Sequence, residues 1–266
     1  MKPTGFAFLD DGGPVVAFAH RGGARHPELT GLENTRAAFA HAVALGYRYL
    51  ETDVHLTADG VLVAFHDTVL ERVTDGEGRI EHLSWSDLAG VRIAGREPVP
   101  TLPELVAAFP DARFNIDLKA EAAVAPLAAY VVDHHLQDRV LIGSFSRRRL
   151  RRFRRLVPGT PTSASPVEVA AFVLLPALLA RSVAPHVAAL QVPHRVGRLT
   201  IASRRLVRSA HAAGVPVHVW TVDDPDEMRR LLDRGVDGLM TDRTDILRDV
   251  LRERGLWAAP TPPDER

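Results

Sequence analysis

Hydrophobic and polar positions along the chain alternate between two rhythms. Short β-branched runs of strand type fall at residues 15–20, 49–56, 113–119, 140–145, 162–165, 187–192, 217–222 and 238–242. Between them lie Ala-, Leu- and Arg-rich stretches of helical pattern, near 34–45, 101–109, 121–136, 146–156, 166–180, 203–213, 224–234 and 244–254. Strand and helix in strict alternation predict βα units and a parallel sheet. Eight such units in 266 residues fit a closed (β/α)8 TIM barrel better than an open doubly wound sheet, which shares the alternation.

One segment leaves this rhythm. Residues 58–100 separate the second strand from its helix by more than a βα connection needs, and they contain a further strand-like run, GVLVAFHD. Asp59-Gly60 would turn that run back on the second strand as a hairpin. An insertion there would lie on the catalytic face of a barrel. The expected domain covers residues 1–254, with this insertion inside it. Residues 255–266, ending APTPPDER, read as a disordered tail. The most apolar segment, VAAFVLLPALLA from Val169 to Ala180, is too short to span a bilayer and contains Pro176, so it is expected to be a buried helix.

Composition narrows the function classes. At 46% hydrophobic and 25% charged residues the chain is of ordinary soluble type. Its 33 basic and 33 acidic residues cancel, so no global excess points to nucleic acid. The absence of cysteine removes disulfides, thiolate metal sites and a cysteine nucleophile. MKPTGFAFLDDGGPVV lacks the apolar core of a signal peptide, which favours a cytoplasmic protein. Nearly all basic residues are arginine, the only lysines being Lys2 and Lys119. An isolated internal lysine therefore asks for a specific role.

The candidate chemistry collects at strand ends. The first strand closes on His20-Arg21-Gly22-Gly23, whose two glycines would let the backbone turn tightly beneath a ligand. Glu51 and Asp53, two apart on a strand, share a face, and Asp117 with Lys119 repeats the arrangement on the next one. Adjacent carboxylates need a cation or a shared proton. Oxygen ligands without cysteine point to Mg²⁺ or Ca²⁺, although strand-end salt bridges would give the same spacing. His20 and His66 end apolar runs, and Asp67 follows His66 as a group that would orient it; two imidazoles at one site can act as base and acid. Arg21 offers a fork of donors to a phosphate or carboxylate. No G-x-G-x-x-G, P-loop or G-x-S-x-G motif is present. The arginine-rich stretch 147–156 places Leu150, Phe153 and Leu156 on one stripe, leaving its arginines to solvent or to anionic lipid. Asp223 or Asp224 would cap the helix that begins at Pro225.

Taken in order, AHRGG…ENT, ETDVHLTADGVLVAFHD, NIDLK, VHVWTVDD and GVDGLMTD resemble the glycerophosphodiester phosphodiesterase family, from about residue 15 to residue 250. The resemblance implies a barrel and metal-dependent hydrolysis of glycerophosphodiesters to glycerol 3-phosphate and an alcohol. Carried over residue by residue, it implies His20 and His66 as the catalytic pair, with His20 as base and His66 as acid. It places Arg21 and Lys119 on the phosphate, Glu51, Asp53 and Asp117 on a Mg²⁺ or Ca²⁺ ion, and Trp220 in the wall of the substrate pocket. The chain departs from the family pattern at Leu32, where proline usually precedes Glu-Asn-Thr, in the longer loop ARHPELTG, and at Asp117, where glutamate is common. The implied partner is a small glycerophosphodiester, with no nucleic acid and no transmembrane segment; peripheral membrane contact stays open. The rival readings are a lysophospholipase D-like enzyme acting on lipid, a phosphoinositide-type phospholipase C, which the ordered motifs fit poorly, and a catalytically silent module that binds glycerophosphodiesters.

Overall fold

The computed structural model describes residues 4–10, 13–183 and 185–257. Eight parallel strands form the barrel: β1 (Val16–His20), β2 (Tyr49–Leu56), β3 (Arg113–Leu118), β4 (Val140–Gly143), β5 (Thr162–Ser163), β6 (Val187–Pro193), β7 (Val217–Trp220) and β8 (Gly238–Thr241). The ring closes because β1 pairs on both edges, Val16 with Gly238 of β8 and His20 with Glu51 of β2. In β2, β4, β6 and β8 nearly every residue is buried. That is the pattern of strands covered by helices on one side and by the barrel interior on the other.

The outer core lies between strands and helices, with Leu50, Val54, Leu127, Leu150, Phe153 and Leu247 among its buried members. The Arg147–Leu156 helix turns Leu150 and Phe153 into this core, while Leu156, third on the stripe, is exposed. The barrel floor is a separate cluster of Phe8, Phe18, Tyr49, Leu141, Ala189 and Met240. A short N-terminal helix, Ala7–Asp10, plugs it. The Phe8 ring meets Tyr49 edge-on at 5.3 Å, and the Tyr49 hydroxyl donates to the Phe8 carbonyl at 2.9 Å. His218 is wholly buried above this floor, and burial pushes its pKa down to about 3, so it is a neutral core residue.

Past β2 the chain turns at Gly60 (φ +87°), and Leu62–Ala64 pairs antiparallel with β2 from Val54↔Ala64 to Leu56↔Leu62. The rest of the 58–100 segment builds its own small core of Val63, Phe65, Leu70, Ile80, Leu88 and Ile93, which also takes in Leu29 and Leu32. Leu32 thus packs the first loop onto this insertion.

The stretch expected as one buried helix is two helices, Pro166–Leu174 and Ala177–Val183. Leu175 is extended (φ −99°, ψ 157°) because Pro176 crowds the residue before it and cannot donate to the preceding turn. Phe172 and Ala180 are buried, but Leu174 and Leu178 are 74% and 82% exposed. At the C-terminus Leu256 and Trp257 pack on the core, the Trp257 ring 5.0 Å from Tyr47. Residues 258–266 of the expected tail lie outside the described residues.

Candidate active site

The loop leaving β1 is shaped by three successive left-handed residues, Arg21 (φ 50°), Gly22 (φ 86°) and Gly23 (φ 88°). A Cβ on Gly22 would stand 2.6 Å from Ala38 Cβ, and one on Gly23 would stand 2.6 Å from Thr244 Cγ2. The glycines therefore admit the first turns of two helices, Arg36–Ala44 and Thr244–Glu253. The close approach they permit is to these helices, where the sequence suggested a ligand. Held there, the Arg21 amide donates to both the Glu51 carbonyl (3.0 Å) and Glu51 Oε2 (3.1 Å).

His20 and His66 are set up alike. His20 Nδ1 lies 2.7 Å from Oδ1 of Asp242, the residue after β8. With the proton on Nδ1, Nε2 is left as the acceptor, 3.9 Å from Glu51 Oε2. Burial alone would lower the His20 pKa; Glu51 and Asp242 outweigh it and raise the value. His66 Nδ1 lies 2.6 Å from Asp67 Oδ1. The other Asp67 oxygen accepts from Arg72 Nε, and the Arg72 fork also grips Glu33 at 2.6 and 2.9 Å. Each imidazole is thus backed by a carboxylate, and both line one cavity.

Glu51 and Asp53 are buried side by side on β2, and Asp53 stands directly opposite Asp117 of β3. Lys119 Nζ bridges this pair, 2.9 Å from Asp53 Oδ1 and 2.7 Å from Asp117 Oδ2. Burial would raise the Asp53 pKa, but Lys119 and Arg21 hold it below the ordinary carboxylate range. Glu51 has no comparable partner: burial, then the charge of Asp53, push its carboxyl up to about 7. Asn34 Nδ2 donates to Asp53 Oδ2 at 3.1 Å and is fixed by Thr52 Oγ1 at 2.8 Å. Arg21 Nε lies 3.0 Å from Asp53 Oδ2 but out of line for a hydrogen bond, which leaves a buried donor without an acceptor.

This donor set suits a hard divalent ion. Glu51 is a buried carboxyl short of positive charge, the neighbouring carboxylates offer only oxygen, and the chain has no cysteine. Glu51 and Asp53 lie two apart on β2, and Lys119 stands between Asp53 and Asp117. Among the described residues, the donor atoms that gather within 4.8 Å of one another belong instead to His26, Glu28 and His41. That group is on the outer side of the first loop. Its two imidazole rings lie 4.3 Å apart, tilted by 48°, and its carboxylate is largely exposed.

The cavity measures about 540 Å³. The polar groups above line it together with the apolar side chains of Phe145, Val169, Val196, Ile201 and Trp220. Trp220 meets Phe145 edge-on at 5.6 Å, and the Phe145 ring lies 6.0 Å from Lys119 Nζ. All eight site residues expected from the sequence therefore line a single cavity. Sequence reasoning missed the residues behind them. Asp242, Glu33 and Asn34 sit inside the quoted motifs MTD and ENT, and their roles come only from tertiary contacts. Asp223 is another: it accepts from Thr241 Oγ1 (3.0 Å), the Asp242 amide (2.8 Å) and Arg25 (3.0 Å), while Asp224 caps the Pro225–Arg234 helix.

The sequence profile of the Glycerophosphoryl diester phosphodiesterase family matches residues 20–246. The chain belongs to this family. A relative from Mycobacterium tuberculosis, "Probable glycerophosphodiester phosphodiesterase 2", is 40% identical over 259 residues, covering 93% of this chain and 98% of its own. The human protein named lysophospholipase D is 27% identical over 88% of this chain and 85% of its own. A crystal structure of a glycerophosphoryl diester phosphodiesterase homologue from Silicibacter pomeroyi superposes with a TM-score of 0.80 at 26% identity, covering 95% of this chain and 100% of that one. The enzyme class implied by the motifs, a phosphoric diester hydrolase, is that of the family, and so is the barrel.

Proposed function

We propose that the phosphodiesterase cleaves glycerophosphodiesters to glycerol 3-phosphate and an alcohol by a two-histidine mechanism supported by Mg²⁺ or Ca²⁺. One observation carries the reading: His20 and His66, each backed through Nδ1 by a carboxylate, line the same cavity as Arg21, Lys119 and Glu51. Arg21 and Lys119 would hold the phosphate, the first through its unaligned Nε–H and the second through a compact ammonium. Glu51, Asp53 and Asp117 would hold the metal, which when bound supplies positive charge to the phosphoryl oxygens. His20 Nε2 takes the proton of the glycerol hydroxyl next to the phosphate, and that oxygen attacks phosphorus. His66 gives a proton to the departing alcohol as its P–O bond breaks. Water then opens the cyclic phosphate, with the histidine roles reversed.

A lysophospholipase D-like activity is the second reading. It is favoured by the apolar side chains of Phe145, Val169, Val196, Ile201 and Trp220 in the cavity lining, which suit an acyl-bearing substrate. One assay decides both points. Turnover of glycerophosphocholine, glycerophosphoethanolamine and a lysophospholipid is measured with and without EDTA. Loss of turnover on chelation and recovery with Mg²⁺ or Ca²⁺ is expected; undiminished activity in thoroughly chelated enzyme would remove the metal.

A further inference from the structure

Charge is divided unevenly around the barrel. Residues 139–222 carry 14 arginines and one carboxylate, Glu168, in a chain whose 33 basic and 33 acidic residues cancel. This stretch supplies β4 to β7 and the helices outside them, so the imbalance along the sequence becomes one sector of the molecule. Arg154 joins Glu168 at 2.7 Å, tying the Arg147–Leu156 helix to Pro166–Leu174. The latter and Ala177–Val183 both pack on the Arg204–Ala212 helix. Arg147, Arg151, Arg195, Arg198, Arg205 and Arg208 are exposed here, with no carboxylate partner among the described residues.

The same sector is apolar where a soluble helix is polar. In Pro166–Leu174 the single charged residue, Glu168, is turned inward, while Val167 and Leu174, one above the other on the outer face, are 58% and 74% exposed. This inverts the pattern of a solvated surface helix. Leu178 and Leu179 continue the apolar surface at 82% and 56% exposed. Beside the cavity a small hairpin pairs Arg195 with Thr200 and Val196 with Leu199 around Gly197 (φ 57°). Val196 and Leu199, on one face of it, are 61% and 65% exposed, flanked by the two free arginines. Val196, Pro166 and Val169 also line the cavity, so this surface runs up to its mouth.

We propose that this sector docks the enzyme onto an anionic phospholipid surface, with the cavity mouth at the edge of the contact. Such a surface satisfies both features together: arginines meet anionic headgroups while aliphatic side chains enter the acyl boundary. Nucleic acid would pair with the arginines and leave the leucines in water. A second copy applied face to face would oppose one arginine cluster with another. The docking stands independently of the reaction assigned to the cavity.

The test is co-sedimentation of the full chain with vesicles of phosphatidylcholine alone or mixed with phosphatidylglycerol. The enzyme should sediment with the anionic vesicles, less at high salt, and stay in solution with the neutral ones. Leu178→Ser/Leu179→Ser and Arg195→Ser/Arg198→Ser should each weaken that binding by at least about tenfold. Turnover of water-soluble glycerophosphocholine should be unchanged in both. Wild-type protein that ignores anionic vesicles, or variants that bind like wild type, would overturn the proposal. Tight binding to duplex DNA, lost in the arginine variant and untouched in the leucine variant, would replace lipid with nucleic acid. A dimer dissolved by the leucine variant would replace it with a second copy.

Discussion

A neutral imidazole accepts a proton on only one nitrogen, and at both His20 and His66 a carboxylate decides which. His20→Ala and His66→Ala should each lower kcat by about 10²–10⁴-fold in folded protein, and their effects should not add, because the proposed mechanism uses both in one step. Asp242→Asn should share part of the His20 loss, since it frees the tautomer. Steady-state kinetics with a thermal-melt control reads all of these, and a folded variant with normal kcat would return its residue to a structural role. Lys119 adds a second test. It bridges Asp53 and Asp117 at 2.9 and 2.7 Å, a space suited to a compact ammonium. Lys119→Arg should therefore lose kcat although charge is kept, and Lys119→Met should lose more. Wild-type kcat and KM for the arginine variant would leave Lys119 as an ordinary salt bridge. Glu51 supplies the pH dependence. Its carboxyl sits at about 7 against an ordinary 4.5, so the metal-free folded state binds this proton more tightly than the unfolded chain does. The resulting stability is full below 4.5 and fades as pH rises to about 7. In chelated protein the melting temperature of wild type relative to Glu51→Gln should fall across that window, and Mg²⁺ or Ca²⁺ should restore it. A difference that stays flat with pH would sink this account of Glu51.

Among elements, the β1–helix junction shows why some features were legible in sequence and others were not. A strand ending in two glycines announced a tight turn, but only the structure shows that the space saved goes to Ala38 and Thr244. Gly22→Ala combines a left-handed φ with a 2.6 Å contact to the neighbouring helix. It should cost at least about 2 kcal/mol of stability, more than the entropic gain of a permissive Gly→Ala change. Chemical denaturation gives the number, and an unchanged midpoint would mean that the loop and helix can separate freely. The barrel strands were readable because burial on both faces leaves continuous apolar runs. The carboxylate pairs were readable because i and i+2 on a strand must share a face. The second-layer residues were not, since Asp242 reaches His20 across 222 positions of chain and no local period records that. The break at Pro176 was visible as a residue but outweighed by the hydrophobicity around it, and the exposed leucines that follow carry no signature of their own.

Over the whole molecule, the candidate site and the packed floor occupy opposite ends of one barrel. His20, Asp117, Trp220 and Asp242 lie at or just past the C-terminal ends of their strands, while Phe8, Phe18 and Tyr49 close the other end. This division is expected of the fold, where loops at one end carry function and the other end holds the ring together. It makes Phe8 informative. The side chain is fully buried, packs edge-on against Tyr49, and belongs to a short helix whose other buried side chain is Leu9. Phe8→Ala should remove about 3–5 kcal/mol of stability through lost burial and the cavity left beneath the barrel. At temperatures where the variant remains folded, kcat/KM should match wild type, because among the described residues the floor cluster meets the cavity lining only at Met240 and Trp220, at the interior boundary between the two ends. His66→Ala should show the converse, a melting temperature close to wild type with turnover largely gone. Parallel melting curves and kinetics on these two variants separate the ends. A Phe8→Ala enzyme that keeps its stability would mean that the N-terminal helix is dispensable to the barrel, and one that folds fully but loses turnover would mean that the floor and the active cavity are coupled through the barrel interior.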